Sequence, residues 1–429
     1  MEFGLYFAQQ LPRPWGPDAE LDLFQESLDQ VELADRLGFG YAWAPEQHFL
    51  EEYSHSSAPE VFLAAASQRT RTIRLGHAVV LLPPGYNEPA RVAERIATLD
   101  LLSRGRVEFG VGHSKTRVEL EGFGVDPVLR QAMSLEALGQ VTEMMAREPY
   151  PGYTGTHFAM PARNVVPKPT QRPHPPLWIA CSDDETVRLA ARLGLGALAH
   201  SFFDAAEARA VVEEYHEIFR RECVPIGHTV NPRVATMVPF HCHPDADVAR
   251  DRGERAGSFF TYAVRHYHVF GRHRPGATEV WERSEIVREE LGGTIPHRGG
   301  HAIGSPSELT ERLREYQEAG LDQTILLHQF GRLPYDQVRA SLELFAAEVL
   351  PAFAAEHAAI RARRDAELAP YVEAALARRE RTVDRPAPLV DAYGLSRPPL
   401  EDPDAHPPHI RDVLVELARM AAVARRLDP

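Results

Sequence analysis

Cysteine is scarce in this chain: 429 residues contain three, Cys181, Cys223 and Cys242. An odd, sparse set builds no disulfide framework and points to a reducing compartment. Positive charge is also short, with 47 Lys and Arg against 61 Asp and Glu and a formal net charge of −14. A nucleic-acid partner needs a basic face for its phosphates, so this balance argues against one and reads as solubility. Long apolar segments are missing as well. The opening MEFGLYFAQQ has neither a basic leader nor the length of a membrane span. A cytoplasmic protein without membrane contact is the expectation.

What is present can fill a sizeable core. Hydrophobic residues make up 44% and charged residues 25%, which sets aside disordered and fibrous classes for most of the chain. Short β-rich runs alternate with helical patterns, the arrangement of parallel strands joined by crossover helices. Strands are expected at 2–8, 41–45, 73–82, 106–111, 177–180, 196–200, 233–240 and 323–328. The run 73–82 is almost continuously apolar, as befits a strand covered on both faces.

Helices fall between them. Leu23, Leu28, Val31 and Ala34 repeat near helical spacing over 21–37, and Gly38 ends the run. Val92, Ile96 and Leu99 share one face of 89–102. Others are expected at 59–70, 128–146, 183–193, 204–223, 245–270 and 335–350. Ser305 and Glu308 form a capping box with Pro306 at the first helical position, opening a helix to 319. Eight strand–helix units by about residue 353 predict an α/β fold, a (β/α)8 TIM-type barrel over 1–353. A long insertion precedes the last strand: the polar, Gly- and Arg-rich stretch 271–304 reads as an active-site lid. Residues 354–429 read as a C-terminal helical extension with a Pro-rich linker at 381–408. It could wrap the barrel, join a dimer contact or sit loosely. Such barrels place function at the carboxyl ends of their strands.

Three stretches narrow the reading. They are Trp43-Ala44-Pro45-Glu46-Gln47-His48-Phe49, the run from Arg91 to Gly112 (RVAERIATLDLLSRGRVEFGVG), and Gly304-Ser305-Pro306 through Leu321 to Ser341-Leu342-Glu343-Leu344-Phe345. Together they resemble the bacterial luciferase-like flavin-dependent monooxygenase family. The resemblance runs in order over about 1–353, and its second stretch is the most specific. It implies a barrel that binds FMN or, in one branch, a deazaflavin. It also implies that reduced FMN arrives from a separate flavin reductase and that one oxygen atom enters a small organic substrate. A homo- or heterodimer is expected. No Gly-x-Gly-x-x-Gly follows the first strand, consistent with a chain that needs no nicotinamide domain.

The resemblance also assigns residues. A bulged, often cis, non-proline peptide supports the flavin ring, and it falls at Ala78-Val79. The phosphate is expected among Gly110, Gly112, His113, Ser114 and Lys115 after the fourth strand, and Cys181, Ser182 and Thr186 after the fifth. Amides at a helix N-terminus near Asp183 would contribute. Asp183, Asp184 and Glu185 crowd that terminus, where Ser182 and Glu185 read as a capping box. Lys115, Arg117 or Lys168 would offset those acids. In luciferases the Glu46-Gln47-His48 segment is Glu-His-His, and its first histidine acts near the flavin as acid or base. Gln47 stands there instead and cannot carry protons. Either His48, with His200 or His328 as further candidates, takes the role, or the reaction needs no such group. His48 held only by local hydrogen bonds is an equal reading.

Two other functions stay open: a deazaflavin-dependent hydride-transfer oxidoreductase, and a non-catalytic flavin-binding protein. Gln47 and the acidic helix lean slightly towards the second. His241-Cys242-His243 with Asp245 and Asp247 lacks zinc spacing, and neighbours on a strand face opposite ways, so no metal is expected. Arg265, His266, His268, Arg272, His273 and Arg274 form a basic knot. It reads equally as an anionic-substrate site or a solvated helix end. Trp43 and Phe49 read as packing residues.

Overall fold

The computed structural model describes residues 1–199, 203–296, 300–380, 388–390 and 407–424. Eight strands alternate their side chains between two apolar surroundings and close into a barrel through the pairing of the last with the first. They are β1 (Glu2–Tyr6), β2 (Tyr41–Ala44), β3 (Arg74–Leu81), β4 (Val107–Gly112), β5 (Leu177–Cys181), β6 (Gly196–Ala199), β7 (Val234–Cys242) and β8 (Gln323–Leu327). Each pairs in parallel with the next, and β8 returns to β1. On β2, Tyr41 and Trp43 pack inside the barrel while Ala42 and Ala44 join the outer layer under the helices. With both faces covered, every residue of β2, β6, β7 and β8 is buried.

Two tryptophans fill the amino-end half of the barrel. A Cβ on Gly76 would lie 2.2 Å from the Trp43 ring, and one on Gly196 would lie 2.3 Å from that of Trp178. The two rings meet edge to face at 5.6 Å. Trp43 Nε1 donates to Gln323 Oε1 at 3.2 Å, and Trp178 Nε1 donates to Glu108 Oε2 at 2.6 Å. Large rings facing glycines plug the barrel here and leave its carboxyl end open. Trp43 is a packing residue, as expected. Phe49 stacks on Phe123 at 5.3 Å, though 52% of it stays exposed.

The outer helices are α1 (Ala19–Leu37), α2 (Pro59–Arg69), α3 (Pro89–Ser103), α4 (Arg117–Gly122), α5 (Arg130–Ala146), α6 (Asp184–Leu193), α7 (Ala205–Glu222), α8 (Ala246–Arg265), α9 (Val280–Glu290), α10 (Pro306–Glu318) and α11 (Tyr335–Glu348). The long α12 (Leu350–Arg378) lies against the barrel, burying Phe353, Leu368 and Ala375. Its Arg364 donates to Asp322 at 2.6 Å. Residues Met1–Arg385 form one compact unit. A second, Pro386–Pro429, contains α13 (Pro408–Ala424).

The stretch 271–304 differs from the lid loop expected of it. It contains α9 and a short strand, Ala302–Gly304, paired with β7. The reason is a cap supplied from afar. Glu279 makes no capping bond at the start of α9. Instead the fully buried Glu52 carboxylate accepts from Val280 N at 2.5 Å, Trp281 N at 3.1 Å and Arg13 N at 2.8 Å. The neighbouring Glu51 accepts from Gly276 N at 2.8 Å and pairs with His273 and Arg13. Glu52→Ala leaves the buried N–H groups of Val280 and Trp281 and the half-buried one of Arg13 without an acceptor and is expected to cost about 2–4 kcal/mol. Limited proteolysis of that variant should cut first within 271–296; wild-type resistance there would refute the tether.

Candidate active site

A cavity of about 700 Å³ opens at the carboxyl end of the barrel. Tyr6, Val79, Gly112 and Ala180 line it from the ends of β1, β3, β4 and β5, and Met237 from within β7. The last helical turns of α8 close over the mouth with Phe260, Thr261 and Val264. Its size is that of a cofactor or small-molecule site.

Strand β3 forms one wall. The Ala78-Val79 peptide is cis, and the β3–β4 ladder shifts register between His77 and Val80. Val79 lines the cavity, while Ala78 is buried behind it. Glu46, also on the wall, brackets this segment. Its N–H donates to Val79 O at 2.9 Å, and its carboxylate accepts from Leu81 N at 2.8 Å and Asn87 Nδ2 at 2.8 Å. Asn87 in turn accepts from Arg95, which pairs with Glu60 at 2.6 Å.

Gln47 lines the cavity and His48 does not. His48 sits behind Glu46, its Nε2 3.1 Å from Glu46 Oε1, with its ring between Tyr86 and Phe123. The local hydrogen bonding expected as one reading of His48 is therefore present. Gln47 Oε1 is buried on the wall with no hydrogen-bond partner among the described residues. Beside it, burial raises the Tyr53 phenol to about 12. His328 faces away from the cavity into the layer under α1, where its Nε2 meets Gln30 Oε1 at 2.9 Å and its ring meets Phe7. That position removes it as a proton carrier for the cavity. His200 lies outside the described residues.

The adjoining wall carries His113, Ser114 and Lys115 after β4, and Ser182 and Thr186 after β5. The capping box of α6 is Asp183 with Thr186, one residue later than the Ser182/Glu185 pair expected. Lys115 Nζ lies 2.7 Å from Asp183 Oδ2. Burial pushes the Asp183 carboxyl up, but Lys115 and the Thr186 N–H outweigh it and hold it at about 2. So one helix acid carries its own counter-charge. Lys115 is the wall cation of the three expected. Arg117 pairs with Glu121 in solvent, and Lys168 donates to the carbonyls of Met144 and Arg147. Burial, with Arg130 and Lys115 nearby, lowers His113 to about 4, so it is neutral near pH 7.

Two expected residues serve the wall from behind. Gly110 is pressed against β3, where a Cβ would lie 2.1 Å from His77 O, and the Cys181 thiol is buried, its Sγ 3.5 Å from Ile179 O. Residues missed in the sequence include Tyr6, Glu46, Tyr53, Glu119 and the face of α8. Glu119 accepts from Ser114 Oγ at 2.6 Å, from Thr116 Oγ1 and from His48 N, and burial raises its carboxyl. Thr116 caps α4 through Glu119 N. The Thr116-x-x-Glu119 spacing was a legible signal for that residue.

The basic knot divides. Arg265 and His268 line the cavity, while His273 pairs with Glu51 and touches His266 at 3.3 Å. At the end of β7, Cys242 N donates to Ser341 Oγ and His243 Nδ1 accepts from Asp245 N. No group of three potential metal ligands occurs among the described residues, and no described helix is long and apolar enough to cross a membrane.

The comparisons with known proteins bear on this geometry. The uncharacterized protein y4wF of Sinorhizobium fredii is 39% identical over 171 residues, 40% of this chain and 49% of that protein. The oxygenase component of the flavin-dependent trigonelline monooxygenase of Acinetobacter baylyi is 23% identical over 82% of this chain and 96% of its own. The monooxygenase RslO1 of Streptomyces bottropensis superposes with a TM-score of 0.67 at 25% identity, covering 82% of this chain and all of that one. The model of the luciferase-like monooxygenase family matches residues 1–323. This chain belongs to that family and is a flavin-dependent oxidoreductase.

Proposed function

We propose that the chain is the oxygenase of a two-component system, using reduced FMN from a separate flavin reductase to oxygenate a small organic substrate. The observation that carries this reading is the convergence of the end of β3 with the loops after β4 and β5 on one cavity of about 700 Å³. The residues present fit the cofactor. Gly112 keeps that wall open, since a Cβ there would lie 2.5 Å from Val79 Cγ2. Gln47 Oε1 offers an unpartnered acceptor to a ring N–H. Ser114, Lys115, Ser182 and Thr186 offer donors to a phosphate.

When bound, reduced FMN supplies two electrons to oxygen, so that one atom enters the substrate and the other leaves as water. The chain's own part is to bind, orient and keep water out. Glu46 fixes the Val79–Leu81 segment from both sides, and Phe260 and Val264 form an apolar roof. His48, behind Glu46, steadies that carboxylate through its Nε2, 3.1 Å from Oε1. The relative's designation as an oxygenase component supports the separate reductase.

The test is an anaerobic titration of the flavin-free chain with reduced FMN and with reduced deazaflavin, read by quenching of tryptophan emission, followed by oxygen uptake over a substrate panel. Micromolar binding of reduced FMN with coupled oxygen uptake is expected. Preference for the deazaflavin with oxygen-independent turnover would replace this reading by hydride transfer. Tight FMN binding without turnover would leave a flavin-binding protein.

A further inference from the structure

The charged groups on the cavity wall are almost all matched within the chain. Glu46 accepts from Leu81 N, Asn87 and His48, and Glu119 from Ser114, Thr116 and His48 N. Glu207 accepts from Asp204 N at 3.0 Å in the capping box of α7, and Lys115 is paired with Asp183. Arg265 differs. Its Nη2 donates to the carbonyl of Pro296 at 2.8 Å, and no carboxylate among the described residues lies within ion-pair distance of it. A carbonyl takes one of five guanidinium donors and none of the charge.

We infer that the substrate carries an anionic group, a carboxylate or its equivalent, which pairs with Arg265 at the cavity mouth. The inference rests on the flavin reading, because it assigns the Ser114/Lys115/Ser182/Thr186 wall to the cofactor. Those donors lie at the ends of β4 and β5. Arg265 belongs instead to α8, the helix that follows β7 and roofs the cavity. Phe260, Thr261 and Val264 precede it on that roof, so an apolar body would lie beside the charged head. The guanidinium is held in place from behind. Ile295 N donates to Ser258 Oγ at 3.0 Å and pins the chain beside the Pro296 carbonyl that Arg265 grips. A fork fixed on one edge loses little freedom when its other edge meets a carboxylate. Its place in the last turn of α8 also suits a cation for purely structural reasons, so charge and shape must be separated.

Benzoate and benzamide, matched in shape and unlike in charge, serve as probes in calorimetric titrations of the full chain, with and without FMN. Benzoate is expected to bind at least about tenfold more tightly than benzamide. Arg265→Gln should bring that ratio close to one, and Arg265→Lys should keep part of it. Both variants should retain wild-type affinities for FMN and riboflavin. Equal affinities for the two probes in the wild type would overturn the inference. So would an Arg265→Gln chain that loses FMN relative to riboflavin with the benzoate preference intact, since the anion would then be the cofactor's phosphate. Failure of the wild type to bind FMN would sink the flavin reading separately, because the probe ratio is also read on the flavin-free chain. If Arg265→Gln fails to fold, the benzoate ratio of the Arg265→Lys chain decides: an undiminished preference counts against the pairing.

Discussion

Gly110→Ala is expected to destabilise the barrel by about 4 kcal/mol or more, whereas Gly112→Ala is expected to leave its stability nearly intact and loosen its grip on FMN. The two glycines are two residues apart on β4 and face the same strand, but they meet different atoms. At Gly110 a Cβ would lie 2.1 Å from the His77 carbonyl oxygen and 3.1 Å from Leu198 Cδ1. A backbone carbonyl cannot rotate aside. Relief requires β3 and β4 to part in the middle of a closed ring of strands, breaking the ladder on both sides. A cost of about 4 kcal/mol or more follows, against a total stability of about 5–15 kcal/mol. At Gly112 the nearest atom is Val79 Cγ2 at 2.5 Å, with the Val79 Cβ at 3.5 Å. A valine methyl can swing to another rotamer for about 1 kcal/mol, and the free space lies in the cavity. The added methyl and the displaced valine would then occupy the wall assigned to the flavin ring. Denaturant unfolding and flavin titration of both variants separate the outcomes. Equal losses of stability, or full FMN affinity in Gly112→Ala, would show that the wall is not where it has been placed.

That contrast marks the limit of what the sequence discloses. Gly110 and Gly112 look alike in it, and both read as cofactor-binding from the resemblance. Only the packing of β3 against β4 gives them separate duties. Elements whose signals are local were legible. Ser305 and Glu308 cap α10 as expected, and Gly38 ends α1 in the left-handed conformation. The eight strands fall within a few residues of their expected bounds. α9 was not legible, because its cap is Glu52, 228 residues away, and no nearby residue replaces it.

The site divides along the same line. Strand ends can be counted in the sequence, and the carboxyl end of β3 and the loops after β4 and β5 do lie on one cavity. The partners of each side chain could not be counted. His48 was a candidate acid or base because of its neighbours in sequence, but Glu46 takes its Nε2 and keeps it off the wall. Lys115, Arg117 and Lys168 were equal candidates to offset Asp183, but Lys115 alone of the three reaches it. The α8 roof was missed for a related reason. Its periodicity shows that a helix exists but not that its last turns fold back across the barrel mouth.

Acid is expected to unfold this protein between about pH 6 and 4, before its paired carboxylates are protonated. Six histidines are buried inside the fold: His77, His174, His216, His241, His266 and His328, none more than 6% exposed. Burial disfavours their charged form and lowers the first five to about 4 and His328 to about 3. In the unfolded chain each returns to about 6.5. Above that value both states are neutral and stability is intact. As pH falls from 6.5 towards 4, the unfolded chain takes up protons that the folded chain refuses, and stability drops. Each histidine contributes up to about 1.4 kcal/mol per pH unit in that window, so six give a slope of up to about 8 kcal/mol per unit. Burial raises Glu26, Glu88, Glu108 and Glu119, which take up protons first in the folded state and oppose part of that slope. Carboxylates held low act later. Burial pushes Glu143 up, but His228 and Arg379 outweigh it and hold it at about 2. Asp183 is also held at about 2, so the stability these two supply is lost only below pH 4.5. Urea unfolding at pH 7, 6 and 5 reads the slope directly. An unfolding free energy that stays level from pH 7 to 5 would mean the histidines are solvated or protonated in the folded state, contrary to the burial described. A single His328→Gln change removes one titrating group and should flatten the slope by about one sixth of the histidine contribution.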